Sequence, residues 1–505
     1  MTQGPGPKAL FEQAVQHHRA GQWAQAEQLY GLALAAAPGL FNPRWLLGVI
    51  RLQTGSAQEA LALADAALAL SDPIDAVVLG LAPDRAEALS VRASALQALR
   101  RPQEALAGYD EILTLKPGHI EALNNRGGLL WTLGRPAEAL EAFDRLLAIE
   151  PRHAEALNNR AVILRDLRRH DEALDSFDAA LAVQPGNPDL LYNRANTLRV
   201  LGRLDEALEG YQAASTVRPD YPEALAARAQ LLLETGRLDE GMAGFRRLAE
   251  LTRDRPRAAA PPHKAHHDAE QAAHLGAQTL TWRLEPGARL AGRAVNPDAD
   301  GAATRWTQSH PRTVIIDDLL TEEALIALRR FCRGSTMWER AYPGGYIGAM
   351  PETGFAAPLL AQIAEELRAA YPDILADHPL IYLWAYSYDS RLEGIQVHAD
   401  SAVVNVNFWI TPDEANLDPD SGGLVVWDAV APKDWDFARY NRDVPAIRQF
   451  LADSGATSIR APYRCNRAVI FDSDLFHETD AIAFKDGYEN RRINVTMLFG
   501  KRQPA

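Results

Sequence analysis

Glu104-Ala-Leu-Ala-Gly-Tyr109, Glu138-Ala-Leu-Glu-Ala-Phe143, Glu172-Ala-Leu-Asp-Ser-Phe177 and Glu206-Ala-Leu-Glu-Gly-Tyr211 are four versions of one hexapeptide, each set 34 residues after the last. Other markers hold the same register: Pro117, Pro151, Pro185 and Pro219, and Arg126, Arg160, Arg194 and Arg228. A fixed period of this length signals a solenoid, because a unit that cannot bury its apolar face alone must stack on its neighbours. A proline at every step suits a turn that follows a helix, where its missing N–H and fixed φ stop the helix from continuing.

The pattern resembles the tetratricopeptide repeat, with small residues where paired helices touch, an aromatic in the second helix and a closing proline. The resemblance covers about residues 8–250 and implies an all-α superhelix with a concave groove. Upstream the register weakens: Gly21, Ala26 and Pro38 fit one repeat, Gly55 and Ala60 another, and Asp72 to Pro83 reads as an insertion. Asn125, Asn159 and Asn193 recur at one position of the first helix. In the O-GlcNAc transferase superhelix, which this region resembles, asparagines at the matching position hold peptide backbone. An amide carries both donor and acceptor and can grip an extended chain without reading its side chains. A role confined to stabilising the stack is the competing expectation.

With 505 residues the chain is too long for one core, and two or three domains are expected. The formal net charge of −14, with no dense Lys/Arg run, argues against nucleic acid as a partner. Two cysteines, Cys332 and Cys465, exclude a disulfide framework and suit a reducing compartment. The opening Met1 to Lys8 lacks a charged-then-apolar signal pattern, and no apolar run is long enough to span a bilayer. A cytoplasmic location without membrane contact is expected.

Residues 251–312 shift to Ala, Pro, His and Arg, and the 34-residue step stops. His266 and Asp268 spell HxD here, beside His263 and His267, but the surroundings are Ala- and Gln-rich. Residues two apart on a helix do not share a face, so a solvated linker or short helix is expected rather than a metal site.

From 313 to 505 the texture is that of short strands. Thr313 to Asp317, Leu380 to Tyr388, Ala402 to Ile410, Leu424 to Trp427, Arg467 to Phe471 and Arg492 to Phe499 read as strands, with helices over Thr321 to Arg330 and Pro358 to Ala370. Such a pattern predicts a sandwich or jelly roll. Within it stands Gln396-Val-His398-Ala-Asp400. Side chains two apart on an extended segment point the same way, so His398 and Asp400 can converge on one ion. His477 follows an apolar strand by a few residues and is the candidate third ligand. Two imidazoles and a carboxylate form the facial triad of non-haem iron(II) sites, which leaves coordination positions open for substrates. Fifteen residues later comes Arg492, whose planar fork matches a carboxylate. Arg492, Asn494 and Thr496 alternate onto one strand face, and Arg491, Ile493 and Val495 onto the other. Arg492 is therefore favoured over Arg491.

Here the chain resembles the 2-oxoglutarate/iron(II)-dependent dioxygenases, double-stranded β-helix enzymes with the pattern HxD…H…R. His398, Asp400, His477 and Arg492 match it. So does the order of elements, with Trp384-Ala-Tyr386-Ser-Tyr388 before HxD and Ser421-Gly-Gly423 opening a later strand. The family often has Ser or Thr two residues after the arginine, where this chain has Asn494. The resemblance implies Fe(II), 2-oxoglutarate and O2 as cofactor and cosubstrates, with ascorbate as a supporting reductant. It places His398, Asp400 and His477 on the metal and Arg492, Asn494 and Tyr386 on 2-oxoglutarate. Oxidative decarboxylation to succinate then drives hydroxylation of a substrate. Asn405 and Asn407 are expected to line the substrate pocket or to serve structure alone. Pairing with the repeats resembles prolyl 4-hydroxylases and aspartyl/asparaginyl β-hydroxylases, which points to a protein or peptide substrate. Two alternatives stand beside it: a small-metabolite hydroxylase whose repeats serve oligomerisation, and a repeat scaffold with an inactive oxygenase domain.

Overall fold

The computed structural model describes residues 5–254, 259–297, 301–388 and 394–502. Met1 to Gly4 and Arg255 to Ala258, on which parts of the signal and linker expectations rest, lie outside the described residues. The chain divides into two compact units, 1–203 and 204–505.

The first unit is a stack of antiparallel helices: Pro7–Arg19 with Trp23–Ala36, Asn42–Gln53 with Ala57–Leu68, Arg85–Ala98 with Pro102–Leu115, Ile120–Thr132 with Pro136–Ile149, Ala154–Asp166 with His170–Val183, and then Pro188–Val200. The repeating residues have plain structural duties. Ala105, Ala139 and Ala173 are fully buried where helices meet, and Tyr109, Phe143 and Phe177 fill the space beside them. Gly127 leaves room for the Phe143 ring, whose Cζ lies 2.7 Å from where a Cβ would stand. The recurring arginines find carboxylates that recur with them: Arg126 on Asp110 at 2.7 Å, Arg160 on Asp144 at 2.7 Å and Arg194 on Asp178 at 2.5 Å. The side chains of His119, His153 and Asn187 cap the helices that follow them. The tight turns between helices need a left-handed residue, which Gly134 supplies at φ +72°, while Arg100 and Arg168 adopt the same region at 58° and 60°. The expected insertion is docked: Asp75 is buried and its carboxylate accepts the N–H groups of Phe41 (2.6 Å) and Asn42 (2.8 Å) at the start of the Asn42–Gln53 helix.

The second unit opens with three more helices of the repeat series, Leu204–Val217, Pro222–Glu234 and Leu238–Thr252. The 34-residue periodicity therefore runs to about 250, whereas the compact division falls at 203. The physical reason is burial. Leu233, Leu238, Met242, Phe245 and Leu248 share one apolar core with Phe331, Leu360, Ile363, Val406 and Val495 of the strand-rich region. The segment expected as a solvated linker or short helix is mostly exposed along its described residues and carries a packed helix. Pro262–His274 is a helix, and its fully buried His267 sits against the rings of Trp338 and Tyr488. Gln271 donates to the Ser335 carbonyl at 2.8 Å. Glu366 accepts the backbone N–H groups of Ala294 and Val295 at 2.8 and 2.9 Å, which ties the extended chain after that helix to the Pro358–Ala370 helix.

The strands are β1 Thr313–Ile316, β2 Trp338–Ala341, β3 Tyr346–Ala349, β4 Leu380–Tyr388, β5 Val404–Trp409, β6 Leu424–Val430, β7 Ser458–Ala461, β8 Ala468–Asp472, β9 Leu475–Thr479 and β10 Arg492–Phe499. They form a seven-stranded sheet, ordered β1-β8-β5-β10-β4-β3-β2, and a three-stranded sheet, β7-β6-β9, with every pair antiparallel. A further bridge pairs His398 with His477 and adds the 398 segment beside β9. The two sheets share a core in which Trp409, Val469 and Phe471 of the larger meet Leu424, Val426 and Leu475 of the smaller. Thr321 caps the helix Glu322–Gly334 as its sequence predicts. Strands β2, β3, β7 and β9 and the helices Phe437–Arg442 and Val444–Asp453 were not among the expected elements. Among the described residues no helix is long and apolar enough to cross a membrane.

A chain beginning at Leu204 is expected to melt cooperatively, because it keeps the whole shared core. A chain beginning at Arg253 uncovers the face that Met242 and Phe245 cover and is expected to lose that transition. In the full chain, Phe245→Ala is expected to destabilise the second unit by about 3–5 kcal/mol. Calorimetry of the two truncations checks this; equal melting of both contradicts it.

Candidate metal centre

The backbone sets the site. His398 and His477 stand directly opposite each other and exchange both backbone hydrogen bonds, at 3.0 and 2.8 Å. Residues paired in this way send their side chains to the same face. The two imidazole centroids lie 4.3 Å apart. Asp400, two residues on from His398, is anchored by its own N–H on the Ser473 carbonyl at 3.1 Å. Its Oδ1 lies 3.8 Å from His398 Nε2 and its Oδ2 lies 3.4 Å from His477 Nε2. One ligand atom from each of the three residues falls within 4.8 Å of the others, and no other such group of metal-ligating side chains occurs among the described residues.

The hydrogen bonds around the triad fix which nitrogens face inward. His398 Nδ1 donates to the Gln396 carbonyl at 2.9 Å, and His477 Nδ1 donates to the Leu475 carbonyl at 3.0 Å. Each ring thereby presents its Nε2 lone pair to the centre. Burial, aided by the neighbouring His477, pushes His398 down to about 4, so its ring is neutral at physiological pH. Burial opposes ionisation of Asp400, but the adjacent His477 and His398 imidazoles and the Asn405 amide together hold its carboxyl below the usual range. Two imidazoles and one carboxylate in this arrangement suit a divalent transition metal. The expected ligands are brought together.

A cavity of about 1080 Å³ opens onto these residues. Arg492 lines it, 1% exposed, with its Nε on the Gly422 carbonyl at 2.6 Å and one Nη on the Gly423 carbonyl at 3.0 Å. Its guanidinium carbon lies 4.5 Å from the Tyr388 ring centroid and 5.6 Å from that of Trp409. Its other terminal nitrogen, Nη1, has no hydrogen-bond partner. A charged group buried with an unmet donor is a natural seat for an anion. Only glycine fits at 423, where a Cβ would lie 1.8 Å from the Ala461 carbonyl oxygen. The glycine pair thus lets two carbonyls approach the guanidinium. Arg491 points the other way and binds Glu270 of the Pro262–His274 helix at 2.7 Å.

Asn494 and Asn407 also line the cavity. Asn405 does not. It is fully buried and donates its amide to Asp400 Oδ2 at 2.9 Å, which orients the carboxylate. Tyr386 lines the cavity within a cluster of rings, edge-on to Tyr342 and Tyr346, while its neighbour Tyr388 is the tyrosine that touches Arg492. Tyr388 and the Gly422 and Gly423 carbonyls were missed by the sequence reasoning. The only signals were that Tyr388 shares a strand face with Tyr386 and that two adjacent glycines precede β6. In the repeat unit, Asn125, Asn159 and Asn193 are half-buried, and Asn193 donates to Asn158 at 3.4 Å. His266, of the second HxD, pairs with Glu270 on its own helix at 3.2 Å.

Models of the tetratricopeptide repeat match residues 124–188, 164–215 and 201–260. The chain thus carries tetratricopeptide repeats over residues 124–260. Among solved structures, YrrB, described as a TPR protein with an unusual peptide-binding site, is 23% identical over 39% of this chain and 97% of its own, with a TM-score of 0.33. A tetratricopeptide repeat protein from Parabacteroides merdae is 22% identical over 50% of this chain and 95% of its own, with a TM-score of 0.38. The C-terminal part of a TPR repeat-containing protein from Cytophaga hutchinsonii is 11% identical, covering 48% and 96%, with a TM-score of 0.41. No curated protein matches the chain.

Titration with Mn(II) or Co(II) in a calorimeter is expected to give one site per chain. His477→Ala is expected to abolish it, and Asn405→Ala to weaken it by about 10- to 100-fold without changing the stoichiometry. Unaltered binding by His477→Ala contradicts the assignment.

Proposed function

We propose that the chain is a 2-oxoglutarate- and Fe(II)-dependent dioxygenase that hydroxylates a protein or peptide side chain, with the tetratricopeptide repeats as the docking module. The observation that carries this reading is the pairing of two features in one cavity. One is a two-histidine, one-carboxylate cluster, and the other is a buried arginine with a free Nη1. The strand order supports it as well. Of the eight strands counted from β4, with the 398 segment as the second, the first, eighth, third and sixth are neighbours in one sheet. The second, seventh, fourth and fifth are neighbours in the other. That interleaving supports the reading of a double-stranded β-helix, or jelly roll, with flanking helices.

When bound, the iron supplies activation of O2 coupled to decarboxylation of the 2-oxo acid. The chain does the rest. His398 and His477 would hold the iron through Nε2 and Asp400 through a carboxylate oxygen, a ligand count that suits an ion that must also take substrates. Arg492 holds the distal carboxylate of 2-oxoglutarate through Nη1, and the Gly422 and Gly423 carbonyls and the Tyr388 and Trp409 rings keep its guanidinium from turning. Burial of that pair strengthens it, since water does not compete. The aromatic residues of β3 and β4 exclude water from the side where substrate enters.

The repeats support a macromolecular substrate because a solenoid exposes a long concave face. The half-buried asparagines of the repeat unit offer amide edges on the helices that carry them. Gln230 and Glu234, on a helix of the repeat series, line the cavity itself.

Arg492→Ala is expected to raise the 2-oxoglutarate concentration needed for half-maximal succinate formation by about 10- to 100-fold, the loss of a charge-assisted hydrogen bond. Arg491→Ala is expected to leave it within about twofold, because Arg491 serves Glu270. Succinate assays across 2-oxoglutarate concentrations check both. The reverse ranking contradicts the assignment of the arginine.

A further inference from the structure

Three polar side chains stand together on the cavity face of the larger sheet. Asn494 and Thr496 alternate along β10, and Asn407 of β5 lies directly opposite Thr496. They are 3%, 2% and 6% exposed. Both amides reach the same hydroxyl, Asn407 Nδ2 at 3.0 Å and Asn494 Nδ2 at 3.3 Å from Thr496 Oγ1. The Oδ1 atoms of both asparagines have no partner.

Counting protons narrows the arrangement. A hydroxyl has one proton to give and two lone pairs. If both amides donate to Thr496, its own proton meets no acceptor among the described residues. The two ends of an amide are told apart by their hydrogen bonds, so one of the two can be turned. Turned, its carbonyl takes the Thr496 proton and its NH2 is free to donate to another group. The neighbour at 492 decides which one turns. Asn494 stands beside Arg492, and an anion held by Nη1 there calls for further donors. With Asn494 giving its NH2 to that anion, its carbonyl accepts from Thr496. Asn407, which lines the cavity, must then donate to Thr496, and its buried carbonyl oxygen is left without a donor. A buried carbonyl without a donor is unfavourable, and an N–H on the bound substrate would satisfy it.

We propose that Asn407 is a specificity-determining residue whose side-chain carbonyl accepts an N–H from a planar amide of the substrate. The walls suit that shape: Trp384 and Tyr386 of β4 stand opposite Thr496 and Asn494 and offer flat ring surfaces beside the array. This rests on the reading of the cavity as a metal and 2-oxoglutarate site. It adds that the group presented there is an amide, either a side-chain carboxamide or a peptide group.

The test uses the full chain loaded with Mn(II) and 2-oxoglutarate, and reads the paramagnetic relaxation of the methyl protons of three small probes. Acetamide stands for a carboxamide, N-methylacetamide for a peptide group, and acetone for the same shape without an N–H. At least one amide is expected to bind about fivefold more tightly than acetone, the effect of one neutral hydrogen bond. Preference for acetamide assigns a side-chain carboxamide, and preference for N-methylacetamide a peptide group. Asn407→Leu is expected to remove the preference, and Asn407→Asp, which keeps an acceptor, to retain it. Acetone bound as well as both amides by the native chain overturns the proposal, as does a preference that survives in Asn407→Leu. Should the leucine variant fail to fold, the native comparison of acetone with the amides still decides. A native chain that takes up no Mn(II) or no 2-oxoglutarate overturns the underlying site reading as well, and is seen before any probe is added.

Discussion

Two backbone hydrogen bonds between His398 and His477 are the constraint on which the candidate site depends. They hold residues 79 positions apart face to face, so both imidazoles must leave the sheet on the same side. Everything else in the cluster follows from that pairing. Asp400 reaches the centre because it is two residues from one partner. Gln396 and Leu475, each two residues before a histidine, supply the carbonyls that turn both Nε2 atoms inward. The site is thus written into strand register, and a slip of one residue would send His477 to the opposite face of β9.

Burying so many polar groups is costly unless each has a purpose. Arg492, Asn494, Thr496 and Asn407 sit on a sheet face whose reverse is mostly apolar, with Ile493, Val495 and Met497 in the core. Several of their polar atoms are unmet, while the surrounding strands satisfy their backbones. Unmet buried groups on residues that line one cavity mark a place where ligands can supply the missing partners.

Much of this was legible in the sequence, and the limits were physical. The repeats showed because alanine, aromatic and proline positions recur at one spacing. The alternation of β10 separated Arg492 from Arg491. The neighbours of Arg492 did not show, because Tyr388 meets it only through the register of β4 against β10, and Gly422 only through the packing of two sheets. Strand β9, Leu475-Phe-His-Glu-Thr479, is too short and mixed in polarity to announce itself. The compact division at 203 was equally invisible. The helices from 204 to 252 keep the repeat pattern on their surfaces and differ in what covers Leu238, Met242 and Phe245. Double use of those helices, as repeat and as wall, joins the cavity to the repeat series through Gln230 and Glu234.

The most direct test of the proposed activity is spectroscopic. Fe(II) and 2-oxoglutarate are added without oxygen to the full chain, and the visible charge-transfer band of a 2-oxo acid chelated to iron is followed. A band that saturates at one equivalent of iron and bleaches on admitting oxygen as succinate forms is expected. A chain that binds Fe(II) at this cluster yet gives no band with 2-oxoglutarate would contradict the proposed activity.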